Sequence, residues 1–367
     1  MKRLAVLLAA LMLAACTPLM VQQVGPPPPA FRGPHLEQDA FVSFDGARLG
    51  LTRWEPDGEP WAVIVGVHGM NDYANAFHLA APWWASQGVA TYAYDQRGFG
   101  RSPGRGVWGG EDLMAEDLRT FAGLLRLRYP HAVLAIVGES MGGAVALDAF
   151  TSGRAPDADR LVLLSPAVWG WATQPLPNKT LLWLAARVTG PKVYTPPRWL
   201  TDHVQPTDNH QELVAMGRDP LMIWGARSDT LYGLVRLMDR AAAATGAAAA
   251  PTFYLYGAHD QIIPKKAAFR AARGLKPGDR SAYYAQGWHL LTRDHEGPII
   301  WSDILAFIRD PKAPPPSGAP PIPRATKSEH RVPSPARLPE AYQASRDGAP
   351  TDPIPSPGAD RDQPSAP

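Results

Sequence analysis

Apolar runs of five to seven residues recur along this chain, and each closes on a short polar or glycine-rich cluster. Trp61–Val67 (WAVIVGV), Val89–Tyr94, Ala132–Val137 and Arg160–Leu164 carry almost no polar residues. Such runs suit strands buried on both faces of a parallel sheet. Helical patterns separate them, through about Ala76–Gln87, Glu111–Arg128 and Ala144–Phe150. The second has apolar residues at Leu113, Leu118, Phe121, Leu124 and Leu125 and acids near its start, where a helix favours negative charge. Upstream, Phe41–Phe44 and Leu49–Trp54 flank Asp45-Gly46, the pattern of a hairpin. Strand and helix in alternation predict an α/β fold, a mostly parallel central sheet flanked by helices.

The alternation breaks over residues 168–244, where no clean strand stands out. Trp169, Trp171, Trp183, Trp199 and Trp224 fall here, with Leu181, Leu182 and Leu184 in one helix-like run and prolines at 191, 196 and 197. The sheet pattern resumes at Thr252–Tyr256 and Ser281–Ala285, and a last helix covers Ile299–Ile308. Residues 168–244 therefore read as a helical cap inserted into a core of residues 39–167 and 245–310. Residues 17–38 contain four consecutive prolines and read as an extended tether. Residues 311–367 are rich in Pro, Ala, Ser, Arg and Asp. They hold too few large apolar residues to offset the entropy of ordering, so disorder is expected there.

The first residues change the cellular picture. Lys2 and Arg3 precede a continuous apolar run, Leu4–Ala15, too short to span a bilayer but suited to an export signal. Leu13-Ala14-Ala15-Cys16 resembles the lipobox of bacterial lipoproteins. The resemblance implies a signal peptide of residues 1–16 cleaved before Cys16, and lipid modification (palmitate among its acyl chains) of Cys16, the chain's single cysteine. Several acyl chains on one residue give stable membrane anchoring. The expected location is the bacterial cell envelope, and Thr17, not Asp, after Cys16 suggests the outer membrane. Cysteine usage otherwise excludes an intramolecular disulfide and a Cys-based zinc site. Histidines show no i, i+4 spacing, so neither a metal nor another cofactor is expected. The formal net charge of the 367-residue chain is +2, with no basic block outside the leader, which argues against nucleic-acid binding. Nothing implies an obligate protein partner.

The candidate chemistry centres on Gly138-Glu139-Ser140-Met141-Gly142-Gly143, placed between a strand and a helix. A G-x-S-x-G pattern arises by chance in roughly one chain in ten of this length, so its context must carry the reading. A serine at a tight strand-to-helix turn is held in strained backbone, and Gly138 and Gly142 leave it room. A serine hydroxyl needs a base, and the base needs an acid to hold its tautomer. In chain order Ser, acid, His, with each group after a strand, the candidates are Ser140, Asp260 (Tyr256-Gly257-Ala258-His259-Asp260) and His289 (Gln286-Gly287-Trp288-His289). His259 precedes the acid on the same loop, while Asp294 and His295 read as helix-entry or surface residues. An oxyanion hole needs two backbone N–H groups. Met141 follows the nucleophile, and Met70 lies on the His68-Gly69-Met70 loop after the Trp61–Val67 strand.

Together V-H-G-M-N-D, Y-D-Q-R-G-F-G-R-S, G-E-S-M-G-G, Y-G-A-H-D-Q-I-I-P and G-W-H-L-L resemble the monoacylglycerol lipase and lysophospholipase (serine aminopeptidase-like) branch of the α/β-hydrolases. Asp219-Pro220-Leu221 fits the same branch. The resemblance spans about Ala40–Ile308. It implies a serine esterase acting on monoacylglycerol, lysophospholipid or similar acyl esters through an acyl-enzyme, with the cap covering the acyl chain. Aminopeptidase, thioesterase and cofactor-free perhydrolase are alternatives on the same fold, and an envelope-tethered binding or scaffold protein is the non-enzyme alternative. Glu139 departs from the animal lipases, which usually have His there.

Overall fold

The computed structural model describes residues 19–195, 197 and 203–323. The leader with Cys16, Trp199 in the cap and the chain past residue 323 lie outside the described residues.

The predicted hairpin is present: β1 (His35–Leu36), β2 (Ala40–Val42) and β3 (Arg48–Trp54) pair antiparallel in sequence. They join β4 (Ala62–Val67), β5 (Val89–Tyr94), β6 (Val133–Glu139) and β7 (Arg160–Leu164) in one nine-stranded sheet. The sheet's far side is completed after the cap by β10 (Thr252–Gly257) and β11 (Arg280–Tyr284). Its order is β1-β2-β3-β5-β4-β6-β7-β10-β11, and every pairing from β5 to β11 is parallel.

Why the central strands read as unbroken apolar runs is visible in β4. Val63, Val65 and Val67 pack on one side of the sheet, while Ala62 and Ile64 pack on the other. The period of two is intact, but both faces meet helices. On the first face lie α2 (Glu111–Arg128) and α3 (Met141–Thr151). They present Leu118, Phe121 and Leu125, and Val145 and Leu147, to the core. On the second face lie α1 (Ala80–Ser86) with Trp84, and the last helix, Gly297–Arg309, with Ile300, Ile304 and Phe307.

The cap contains α4 (Leu176–Val188), α5 (His210–Arg218) and a two-residue antiparallel pair, β8 (Val193–Tyr194) with β9 (Ala226–Arg227). Its greasy residues divide. Trp171 lies tilted against Tyr232, and Arg187 lies over both Trp183 and Tyr232. Trp224 packs instead with Leu213. Leu182 faces the core, whereas Leu181 is 69% exposed and points away from any interior site.

Three boundaries differ from those expected. The core resumes at α6 (Ser228–Ala244), not at residue 245: a parallel crossover from β7 to β10 needs a covering helix, and α6 supplies it. Its Leu237 and Ala241 are fully buried, Arg240 bonds Asp148 of α3 at 2.7 Å, and Gly233 abuts Trp108. The proline-rich segment does not stand clear of the domain. Val21 bridges Trp108, Gln22 N–H donates to the Trp108 carbonyl, and the Gln22 amide donates to Val107 O. Pro28 lies against Gly46, and His35–Leu36 is already in the sheet. Finally, residues 311–323 are folded onto the domain. Arg280 Nε donates to Pro311 O, Ser317 bonds Asp303, Tyr283 N–H donates to Pro320 O, and Ile322 is buried. The segment covers the outer edge of β11, an edge that would otherwise offer unpaired backbone groups. A few well-placed residues suffice for this, which a composition argument averages away.

Two further helices complete the set: α7 (Lys265–Ala272), with buried Phe269, and the last helix above, α8.

Candidate active site

At the end of β6 the chain turns into α3 through Ser140, whose φ of 52° and ψ of −114° are strained for a residue with a side chain. Neighbouring backbone over-determines the turn. Ser140 N–H donates to Leu164 O at 2.9 Å, and Ser140 O accepts from Ala167 N–H at 2.9 Å. The glycines are steric necessities. A Cβ on Gly142 would stand 2.0 Å from Val67 O, and one on Gly138 would stand 2.7 Å from the Gly142 carbonyl. A Cβ on Gly143 would press Pro166 at 2.9 Å.

The loop after β4 lies directly against this turn: a Cβ on Gly69 would be 3.3 Å from Ser140 Cβ. His68 fixes the loop. Its Nδ1–H donates to Gly69 O at 2.7 Å, its Nε2 accepts from Gln96 N–H at 2.8 Å, and the Gln96 amide donates back to His68 O. Burial holds its pKa below the ordinary imidazole value, so His68 is a neutral brace. Asn71 follows in left-handed backbone at φ 67°. The loop thus brings Gly69, next to Met70 in the chain, against Ser140, and Met141 opens α3.

Asp260, after β10, and His289, after β11, are both buried and bonded: His289 Nδ1 lies 2.9 Å from Asp260 Oδ2. A carboxylate only accepts, so Nδ1 carries the proton and Nε2 is left free to act as a base. Asp260 Oδ1 accepts from the N–H groups of Ile262 and Ile263 at 2.8 and 2.9 Å, which fixes the carboxylate. Burial opposes protonation of His289, but the charge and hydrogen bond of Asp260 outweigh it and raise its pKa. Among the described residues the Ser140 hydroxyl makes no hydrogen bond to His289. Such contacts are often long in free enzymes and tighten on substrate binding. His259 stacks on Trp288 and is not the partner of Asp260.

The sequence reading missed a buried polar cluster around this site. Arg293 Nη2 reaches Asp72 Oδ2 at 2.7 Å and Glu139 Oε1 at 2.6 Å, and Arg293 Nη1 lies 3.7 Å from Glu212 Oε1. Glu212 in turn meets His78 Nε2 at 3.3 Å. Asp294 is not a surface residue either. It is 3% exposed, and its carboxylate accepts from Trp288 N–H at 2.7 Å, next to His289. Asp72 and Gln96 did stand in the quoted motifs, as polar residues at strand ends. Nothing in one-dimensional spacing says that Arg293 meets Asp72 or that Gln96 braces His68.

The base of the cap is bonded to each of these loops. Asn71 O accepts from Ile223 N–H, and Tyr73 OH donates to Asp219. Leu290 N–H donates to Pro206 O, and the Gln261 side chain accepts from Gln205 N–H. Arg105 donates to the carbonyls of Pro220, Leu221 and Met222, which gives the Asp219-Pro220-Leu221 run a structural purpose.

The family model described as serine aminopeptidase, S33 (Hydrolase_4) matches residues 58–296. A monoacylglycerol lipase of Mycolicibacterium smegmatis is 29% identical over 279 residues, 74% of this chain and 96% of that protein. The monoglyceride lipase of Rattus norvegicus is 25% identical over 279 residues, 75% of this chain and 90% of that protein. Among solved structures, a monoacylglycerol lipase from Paleococcus ferrophilus aligns with a TM-score of 0.59 at 20% identity, over 71% of this chain and 98% of that one. A soluble variant of the Saccharomyces cerevisiae monoglyceride lipase aligns with a TM-score of 0.61 at 19% identity, over 78% of this chain and 97% of that one. These two likenesses bear on the fold, which is that of the α/β-hydrolases.

Proposed function

Because this chain belongs to the serine aminopeptidase S33 family, we propose that it is a serine carboxylic-ester hydrolase acting on monoacylglycerols or closely related single-chain acyl esters. The observation that carries the reading is the buried Asp260–His289 pair at the strand ends that also present Ser140 on its strained turn. Ser140 Oγ attacks the ester carbonyl while His289 Nε2 takes its proton, and Asp260 holds Nδ1–H and stabilises the imidazolium. The N–H groups of Met70 and Met141 receive the oxyanion, each such donor being worth roughly 100- to 1000-fold in turnover. His289 then protonates the leaving alcohol. Water repeats the sequence on the acyl-enzyme and restores Ser140.

The named relatives, matched over nearly their whole length, support the monoacylglycerol choice. Against an aminopeptidase, the cap carboxylates among the described residues are already engaged. Asp208 accepts from His295 N–H, Asp219 accepts from Tyr73 OH, and Glu212 meets His78 and Arg293. Each of these bonds ties the cap to the core. The leader sequence supports anchoring through a lipidated Cys16 in the bacterial envelope, at the outer membrane, which would keep the site near its substrates.

The test is a p-nitrophenyl ester chain-length series beside monoacylglycerol, lysophospholipid and aminoacyl arylamides. Turnover is expected to rise with medium to long acyl chains and to include monoacylglycerol. A profile confined to short chains sinks the lipid substrate and leaves the hydrolase. Ser140→Ala should abolish both turnover and fluorophosphonate labelling; labelling that persists removes Ser140 as the nucleophile.

A further inference from the structure

We propose that Arg293 is a positioning residue. Through one buried guanidinium it holds together the serine turn (Glu139), the segment after the oxyanion loop (Asp72), the loop of His289 and the cap (Glu212). Arg293 reaches Glu139 at 2.6 Å and Asp72 at 2.7 Å, and Glu212 lies 3.7 Å away as an ion pair. Arg293 is itself only 2% exposed, four residues beyond His289. The Met216 sulfur of α5 lies 3.8 Å from Nη1, a second contact with the cap. Four segments distant in sequence therefore share one cation, and a planar guanidinium can bond several carboxylates at fixed angles.

The charge count gives the cluster a chemical consequence. Three carboxylates face one arginine; His78 meets Glu212 at 3.3 Å, and the imidazoles of His289 and His68 lie in the field of Glu139 and Asp72. Glu139 Oε2 and Arg293 Nε are buried without hydrogen-bond partners among the described residues. Glu139 adjoins Ser140 in the chain, and its charge acts on His289 together with those of Asp260 and Arg293. Asp294 reaches the same loop through Trp288. Glu139 and Asp260 favour the imidazolium, and Arg293 opposes it. Burial pushes the Glu139 carboxyl upward, and Arg293 draws it back toward ionisation. Arg293 thus balances the field in which His289 loses and regains its proton, while bracing the segments that carry Ser140 and the Met70 loop.

This inference rests on the Ser140–His289–Asp260 reading. The experiment uses the pH dependence of the fluorophosphonate labelling rate, which needs no ester substrate. In the unaltered protein, labelling rises with pH as His289 becomes neutral. Arg293→Gln should move that rise to higher pH, Glu139→Gln should move it to lower pH, and the double substitution should bring it back toward the parent. Arg293→Lys keeps the charge but not the fork, so it should restore the position of the rise better than the plateau rate. If Arg293→Gln does not fold, the Glu139→Gln shift alone decides. The inference is overturned if folded Arg293→Gln and Glu139→Gln lose rate at every pH alike with the rise unmoved. Absence of labelling in the parent protein would instead overturn the reading of the site.

Discussion

At the scale of single residues, the site is set by polar groups kept out of water. Asp294 shows how this couples to pH. Burial raises its pKa to about 7 from an ordinary 3.8, against the hydrogen bond from Trp288 N–H. The folded state therefore holds this proton where the unfolded chain has lost it. The contribution to stability is full below about 3.8, declines as pH rises toward 7 and is flat beyond. Asp294→Asn keeps an acceptor for Trp288 and removes the titration. Its melting temperature relative to the parent should climb between pH 4 and 7 and then level off; a difference that is constant over that range would contradict this account. In sequence Asp294 reads as a helix-entry or surface residue; it does precede α8, but its burial depends on Trp288 and Thr207, which reach it only in three dimensions.

Among the elements, the turn from β6 to α3 tolerates little. Gly142→Ala would put a methyl carbon 2.0 Å from Val67 O, a backbone atom that cannot swing aside. The start of α3 would have to move, carrying Met141 and Ser140 with it. We expect loss of labelling by more than tenfold and a lowered melting temperature, on the scale of about 1–3 kcal/mol for an overpacked site, read by scanning fluorimetry. Unchanged labelling would show that α3 can shift without harm. Much of this level was legible beforehand. The apolar runs located β4, β5, β6, β7 and β10, and strand-end logic picked Asp260 and His289, which the structure bonds together. The cap was legible only as greasiness, because helices that pack on loops lack the strict period of a strand. For the same reason α6, amphipathic and packed on α3, was not told apart from the cap.

For the whole molecule, the ends matter more than their composition suggests. Ending the chain after Asp310 removes the bonds to Arg280, Asp303, Tyr283 and Ser281 and uncovers the edge of β11. Such a truncation should lower the melting temperature and increase self-association, visible by light scattering on heating. A truncation after Pro323 should retain the parent melting temperature. If both behave alike, the 311–323 segment is not part of the stable fold.

The other end has a geometrical consequence. Val21 and Gln22 are stitched to residues 103–108, and the Met20 sulfur accepts from Arg227 at the base of the cap. Between residue 16 and Met20 there are four peptide steps, at most about 14 Å of fully extended chain. A free spacer running to residue 38 would have allowed more than about 70 Å. On the proposed lipidation of Cys16, the anchor would therefore have a short leash on the protein. It would hold nearest the membrane the side where Met20 meets Arg227 and Gln22 meets Val107.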